Sequence, residues 1–112
     1  MNDWLPRIRT AAAVAGVRSV FLLSVDDGLL VHEVSRDETD VAAAAALVAS
    51  LVRRSATLAG DEPETITLTA SAGTVVAVDA GSQLWLAALA APGAELGRLR
   101  LVLGDLAAGM RL

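Results

Sequence analysis

The chain has no cysteine, no lysine and no tyrosine, and it carries one phenylalanine and one histidine. Without cysteine, disulfides and thiolate metal sites are excluded. Without lysine there is no Schiff-base chemistry and no P-loop, and without tyrosine there is no aromatic platform on which bases could stack. All nine basic residues are arginine and face thirteen carboxylates, for a net charge of −4. An acidic chain lacks the basic stripe that neutralises phosphates, so nucleic acid is not an expected partner. No run reaches the ~18–20 apolar residues of a membrane span, since residues 42–49 are followed by Ser50 and then by Arg53 and Arg54, and no membrane insertion is expected. The opening MNDWLPRIR lacks the basic stretch and apolar core of a signal peptide, so a cytoplasmic protein is the expectation.

What the chain does have is apolar surface. Hydrophobic residues make up 54% of its 112 positions and the mean hydropathy is +0.56. One domain spanning residues 1–112 is expected from this length. The apolar surplus points to burial against another chain.

Residues 40–59, DVAAAAALVASLVRRSATLA, organise the rest. At ~100° per residue, Val41, Leu47, Val48, Leu51, Val52 and Leu58 gather on a bulky apolar stripe that must sit on a core. The opposite face carries Ala42, Ala43, Ala46, Ala49, Ser50, Arg53, Ala56 and Thr57. Helix propensity alone would favour alanine there. A smooth apolar face also lets a second macromolecule approach closely, which makes this a candidate contact helix. Arg53 and Arg54 either solubilise its C-terminal half or anchor a partner's carboxylates.

Around it, Asp3 can cap a first helix with Pro6 in its first turn and Gly16 at its end. Residues 17–25, VRSVFLLSV, are apolar on both faces beyond Ser19, as in a strand covered on two sides. Asp26-Asp27-Gly28 turns the chain into a second strand over 29–34. Ser35-Arg36-Asp37-Glu38 has the form of a capping box, with Asp37, Thr39 or Asp40 as other caps. Gly60 to Pro63 stop the contact helix. Residues 65–71 then alternate, with Ile66, Leu68 and Ala70 on a buried face and Thr65, Thr67 and Thr69 on the other. Turns at Ala72-Gly73 and Ala80-Gly81-Ser82 make a three-stranded meander through 74–79 and 83–90. Pro92 and Gly93 open the last helix, where Leu96, Leu99, Leu103, Leu106 and Met110 form one face. Gly97 and Gly104 inside it cost roughly 1 kcal/mol each relative to alanine, a cost that close packing on the first helix or the sheet would offset.

The expected architecture is α+β, in the order α-β-β-α-β-β-β-α. A five-stranded antiparallel sheet has two helices on one face and one on the other. One helix cannot cover a five-stranded face. Pairing the edge of the Thr-rich strand with its copy in a second protomer would extend the sheet and set two contact helices side by side, so a homodimer is expected.

Catalytic chemistry finds little support. His32, placed with Leu30 and Val34 on one strand face, suits a structural role better than that of a general base. Asp26 and Asp27 are turn residues rather than metal ligands. Asp61, Glu62 and Glu64 form a solvated acidic loop. Ser24, Ser50, Ser55 and Ser71 lack a nucleophile-elbow setting. No catalytic residue, metal or cofactor is expected.

Several local features together resemble the roadblock family, named for a dynein light chain. They are Gly16-Val17 entering an apolar strand, the Asp27-Gly28-Leu29 hairpin, the Ala-rich second helix, the turns at Gly73 and Gly81, and Leu96-Gly97-Arg98-Leu99-Arg100. The match spans nearly the whole chain. The resemblance implies homodimers or heterodimers with a continuous sheet and the two second helices on one surface. It further implies binding of a Ras-like small GTPase, with stimulation of GTP hydrolysis in some bacterial polarity and gliding systems and a scaffold role elsewhere. Ala42, Ala43, Ala46, Ala49, Ser50, Arg53, Arg54 and Thr57, with Thr65, Thr67 and Thr69 of the edge strand, are the expected partner and dimer contacts. A docking scaffold with no GTPase partner is the alternative, and a small-molecule sensory domain a further one.

Overall fold

A computed structural model describes residues 4–36, 41–61 and 63–111. The proposed caps at Asp3, Asp37, Thr39 and Asp40, with Glu38 and Glu62, lie outside the described residues. The elements are α1 (Trp4–Ala12), β1 (Val17–Ser24), β2 (Leu30–Ser35), α2 (Val41–Ala59), β3 (Thr65–Ala70), β4 (Gly73–Gly81), β5 (Leu84–Ala90) and α3 (Leu96–Met110). The strands form one antiparallel sheet in the order β2-β1-β5-β4-β3, so β2 and β3 are its edges.

Strand alternation sorts the apolar residues into two layers. Val20 and Leu22 of β1, with Val76, Leu86 and Ala88, pack under α1 and α3 around Ile8, Leu99 and Leu103. Phe21 and Leu23, with Ala77, Trp85 and Ala87, pack under α2 around Val41, Val48 and Val52. A strand with helices on both sides must be apolar at every position, which is why residues 20–23 of β1 are all fully buried. The arrangement of two helices on one face and one on the other is the expected one.

Two glycines permit the closest approaches. Gly16, at φ +85°, lies where a Cβ would come within 2.6 Å of the Ala94 Cβ; Gly73, at φ +152°, lies where one would meet the Ala90 carbonyl oxygen at 2.5 Å. Both mark places where the chain passes against β5 or the segment after it, with no room for a side chain.

Several details differ from the sequence reading. The pairing of β1 with β2 shifts register between Leu22 and Leu23, placing Leu22 opposite His32 and Leu23 opposite Leu30. This bulge turns Leu30 toward the α2 layer, while Val34 packs with the α1/α3 layer. His32 therefore shares a face with Val34 and not with Leu30. The β4–β5 turn falls on Ser82 and Gln83, because β4 continues to Gly81. Helix α3 begins at Leu96, after Pro92 and Gly93, and its N-cap Glu95 makes no side-chain cap. Gly97 and Gly104 have open space where a Cβ would stand, so close packing is not what keeps them there. Ser19 is fully buried, and among the described residues its Oγ has no hydrogen-bond partner.

The largest difference concerns β3. Of the three residues expected on a buried face, Ile66 is half-buried, Leu68 is 42% exposed and Ala70 is exposed. The register places Ile66 opposite Ala77 and Leu68 opposite Val75, on the side that α2 covers. A single helix roofs the centre of a sheet and leaves this edge bare.

Candidate protein-contact surface

Helix α2 is long because alanine and leucine favour helix over its whole length and no glycine or proline interrupts it. Its inward stripe is Val41, Ala45, Val48, Ala49 and Val52, at i, i+4, i+7, i+8 and i+11. The small residues Ala45 and Ala49 let the helix sit close to the sheet. Two further contacts fix its rotation. Arg53 Nη1 donates to the Val25 carbonyl at 2.8 Å, and the α carbon of Ala46 and the methyl of Ala49 stand beside Gly28 of the β1–β2 turn. One flank of α2 is thereby pinned to that turn, whose geometry is set by Gly28 N–H donating to the Ser24 carbonyl and Leu29 N–H to Asp27 Oδ1.

The opposite flank carries Leu47, Leu51 and Leu58. Leu47 is 45% and Leu58 90% exposed, with Leu51 half-buried. These leucines lie about 100° round the helix from the inward stripe. The sequence reading merged the two stripes into one; the valines alone mark the inward line. Because the β1–β2 turn belongs to the edge far from β3, the leucine flank is the one nearer β3. It shares the α2 side of the sheet with Ile66 and Leu68.

Between the flanks lies the outward face. Ala42, Ala43, Ala46, Arg54 and Thr57 are exposed there and Ser50 is half-buried. Ala49, expected on this face, is 1% exposed and belongs to the core. Arg53, expected as a partner anchor, holds Val25 with its guanidinium. The Thr57 hydroxyl donates back to the Arg53 carbonyl at 3.1 Å, so it serves the helix itself. Thr65, Thr67 and Thr69 are exposed on the edge strand. The structure thus brings ten of the eleven expected contact residues to the surface, and it adds Leu47, Leu51, Leu58 and Leu68.

By length and composition alone α2 would pass for a membrane span, as the core helix of a globular domain can. Its apolarity is largely alanine, and the Arg53 and valine contacts seat it on the sheet. Among the described residues no group of His, Asp and Glu is placed to hold a metal ion. Two small clefts lie among the described residues. One of about 230 Å³ lies between α1 and α3, beside Arg7, Thr10, Val102, Asp105 and Leu106. The other, about 160 Å³, lies where α2 meets the β4–β5 turn.

No family model and no curated protein matches the chain. Solved structures do. A Roadblock/LC7 domain from Streptomyces avermitilis is 26% identical and superposes with a TM-score of 0.78, covering 98% of this chain and 94% of that one. MglB of Myxococcus xanthus is 19% identical, with a TM-score of 0.80 over 98% of this chain and 95% of its own. The gliding protein MglB of Thermus thermophilus is 15% identical, with a TM-score of 0.84 over 99% and 90%. The element order, the sheet and the placement of all three helices agree with these structures over nearly the full chain, and the fold of this protein is the roadblock/LC7 fold.

Proposed function

We propose that this protein is a non-catalytic homodimeric regulator or scaffold that binds a Ras-like small GTPase through the outward face of α2. The observation that carries this reading is the exposed apolar surface of α2, smooth at Ala42, Ala43 and Ala46 and bulky at Leu47 and Leu58. The exposed leucines adjoin the alanine face and Leu68 of β3 on one side of the sheet, and a contiguous apolar patch marks a contact surface where a single exposed leucine would not. The likeness to MglB structures and the family resemblance direct the choice of partner.

The two exposed zones have separate roles. Edge strand β3 is six residues long, has no bulge against β4 and carries no charged residue or proline. The other edge, β2, is bulged against β1 and carries His32 and Glu33. Natural sheets block the edges that must not pair, so β3 is the edge left for pairing. Two-fold antiparallel pairing of β3 with its copy brings the leucine flanks of the two α2 helices toward each other. Leu68 is covered in the same step. The alanine faces, Ser50, Arg54 and Thr57 then form one surface across the dimer, available to a partner.

On that surface the dimer favours one arrangement of the GTPase switch segments, a population shift in which this chain supplies no reacting group. The test is single-turnover GTP hydrolysis by a Ras-like GTPase from the same organism, with and without excess protein. Acceleration of ~10-fold or more, a barrier change of ~1.4 kcal/mol, supports an activating regulator. Binding at an unchanged rate supports the scaffold, and absence of binding rejects the GTPase reading.

A further inference from the structure

Strands β4 and β5 meet in a two-residue turn whose central residues, Ser82 and Gln83, both have positive φ, 54° and 66°. This turn geometry favours Asn-Gly, and two ordinary residues held there are a local strain of the kind that gathers at working sites. Beside the turn is the cleft of about 160 Å³, whose walls include Val25, Val52, Asp79, Ser82, Gln83 and Trp85. It is well below the ~300 Å³ at which pockets take drug-sized ligands, and holds a group of a few heavy atoms.

Two polar groups define what that group can be. Asp79 and Trp85 are directly opposite each other on β4 and β5, so their side chains leave the sheet on the same face. Trp85 is 4% exposed, its ring packed in the α2 layer. Among the described residues its indole N–H donates to no protein acceptor, and it is not among the polar atoms sealed from solvent without a partner. The Asp79 carboxylate accepts from Gly81 N–H at 2.9 Å through Oδ1, while Oδ2 is ion-paired at 3.7 Å with Arg111, whose Nη2 donates to the Asp79 carbonyl at 2.8 Å, so among the described residues Oδ2 accepts no hydrogen bond. The cleft therefore offers a donor and an acceptor side by side, above the aliphatic wall of Val25 and Val52. A carboxylate ligand would satisfy Trp85 and repel Asp79, and an ammonium would do the reverse. A neutral group that both accepts and donates satisfies both; a primary carboxamide does so from two separate atoms, where a hydroxyl must serve both from one oxygen.

We infer that this cleft is a subsite for a carboxamide group. Its C=O accepts from Trp85 Nε1–H, its NH2 donates to Asp79 Oδ2, and its stem lies on Val25 and Val52. The carboxamide comes either from an Asn or Gln side chain of a bound protein or from a free small amide. The inference is independent of the GTPase reading.

The chain has two tryptophans, so a ¹⁵N-labelled sample gives two indole resonances, assigned with Trp4→Phe. Titration with propionamide is expected to shift the Trp85 resonance saturably and leave Trp4 in place. Propionate, propylammonium and 1-propanol, of similar size, are expected to bind ~10-fold or more weakly, and equal binding of 1-propanol overturns the choice of a carboxamide. Absence of a saturable Trp85 shift, or equal binding of propionate, overturns the inference. In Trp85→Phe, which keeps an aromatic ring but loses the pyrrole part with its donor, the propionamide shift of the Gly81 amide is expected to vanish in a variant whose amide spectrum remains that of the folded protein, at a lower melting temperature. A surviving shift in that variant also overturns it. With the subsite upheld, N-acetylglutamine N-methylamide binding as well as propionamide assigns it to a protein side chain. Its exclusion assigns the site to a free amide.

Discussion

At the scale of single residues, the chain spends stability in places where its own structure gives nothing back. Gly97 and Gly104 stand inside α3 with open space around the position of a Cβ. Replacing either with alanine is expected to raise the unfolding free energy by about 1 kcal/mol, read from the urea midpoint at constant m. A loss instead would mean that the backbone there is tightly packed in solution. Ser19 is the converse case, a buried hydroxyl without a partner in a strand otherwise chosen for apolar packing. An unsatisfied buried group costs about 1–3 kcal/mol, so Ser19→Ala is expected to leave thermal stability unchanged or raise it. A clear drop would show that the hydroxyl has a partner in solution. Neither feature was legible as such in the sequence. Glycine spacing suggested close packing because packing is the usual reason for a costly glycine, and nothing in a linear pattern reports the space around it.

At the scale of elements, the order of helices and strands was legible because each has its own period: β1 apolar on both faces, β3 alternating, α3 repeating at three and four. The rotation of α2 was not. Eight alanines leave the first half of the wheel without a polar side, and the polar residues enter only from Ser50 onward, so the pattern groups Leu47 and Leu58 with Val48 and Val52 when they belong on another flank. What sets the rotation is tertiary: the Arg53 bond to the Val25 carbonyl and the seat of Ala46 and Ala49 beside Gly28. The register of β2 was hidden for a similar reason, since a bulge leaves no compositional mark. The adjacent arginines of α2 can now be told apart. Arg53→Ala is expected to destabilise the fold by about 1–3 kcal/mol, the range for a charged hydrogen bond that leaves a carbonyl behind. Arg54→Ala, on the exposed face, is expected to change stability by less than about 0.5 kcal/mol. Equal effects in chemical denaturation would contradict this division of labour.

At the scale of the whole molecule, the unfinished parts of the surface lie on one side. The bare edge of β3, the exposed Leu68 and the leucine flank of α2 all sit on the face that one helix cannot cover, and in the proposed dimer a second copy completes it. Sedimentation equilibrium is expected to give a dimer of the 11.5 kDa chain. Leu68→Lys is expected to give a folded monomer, while a native monomer mass would remove the basis for the dimer. In the proposed complex the alanine face of α2 then receives a GTPase. The decisive experiment is calorimetric titration of a GTP-analogue-loaded Ras-like GTPase of the same organism into the wild-type protein and into Ala46→Glu. Binding to the wild type is expected, with a loss of ~100-fold or more, about 2.7 kcal/mol, in a variant with unchanged melting temperature and dimer mass. Equal affinity for both proteins, or no binding to either, would contradict that complex.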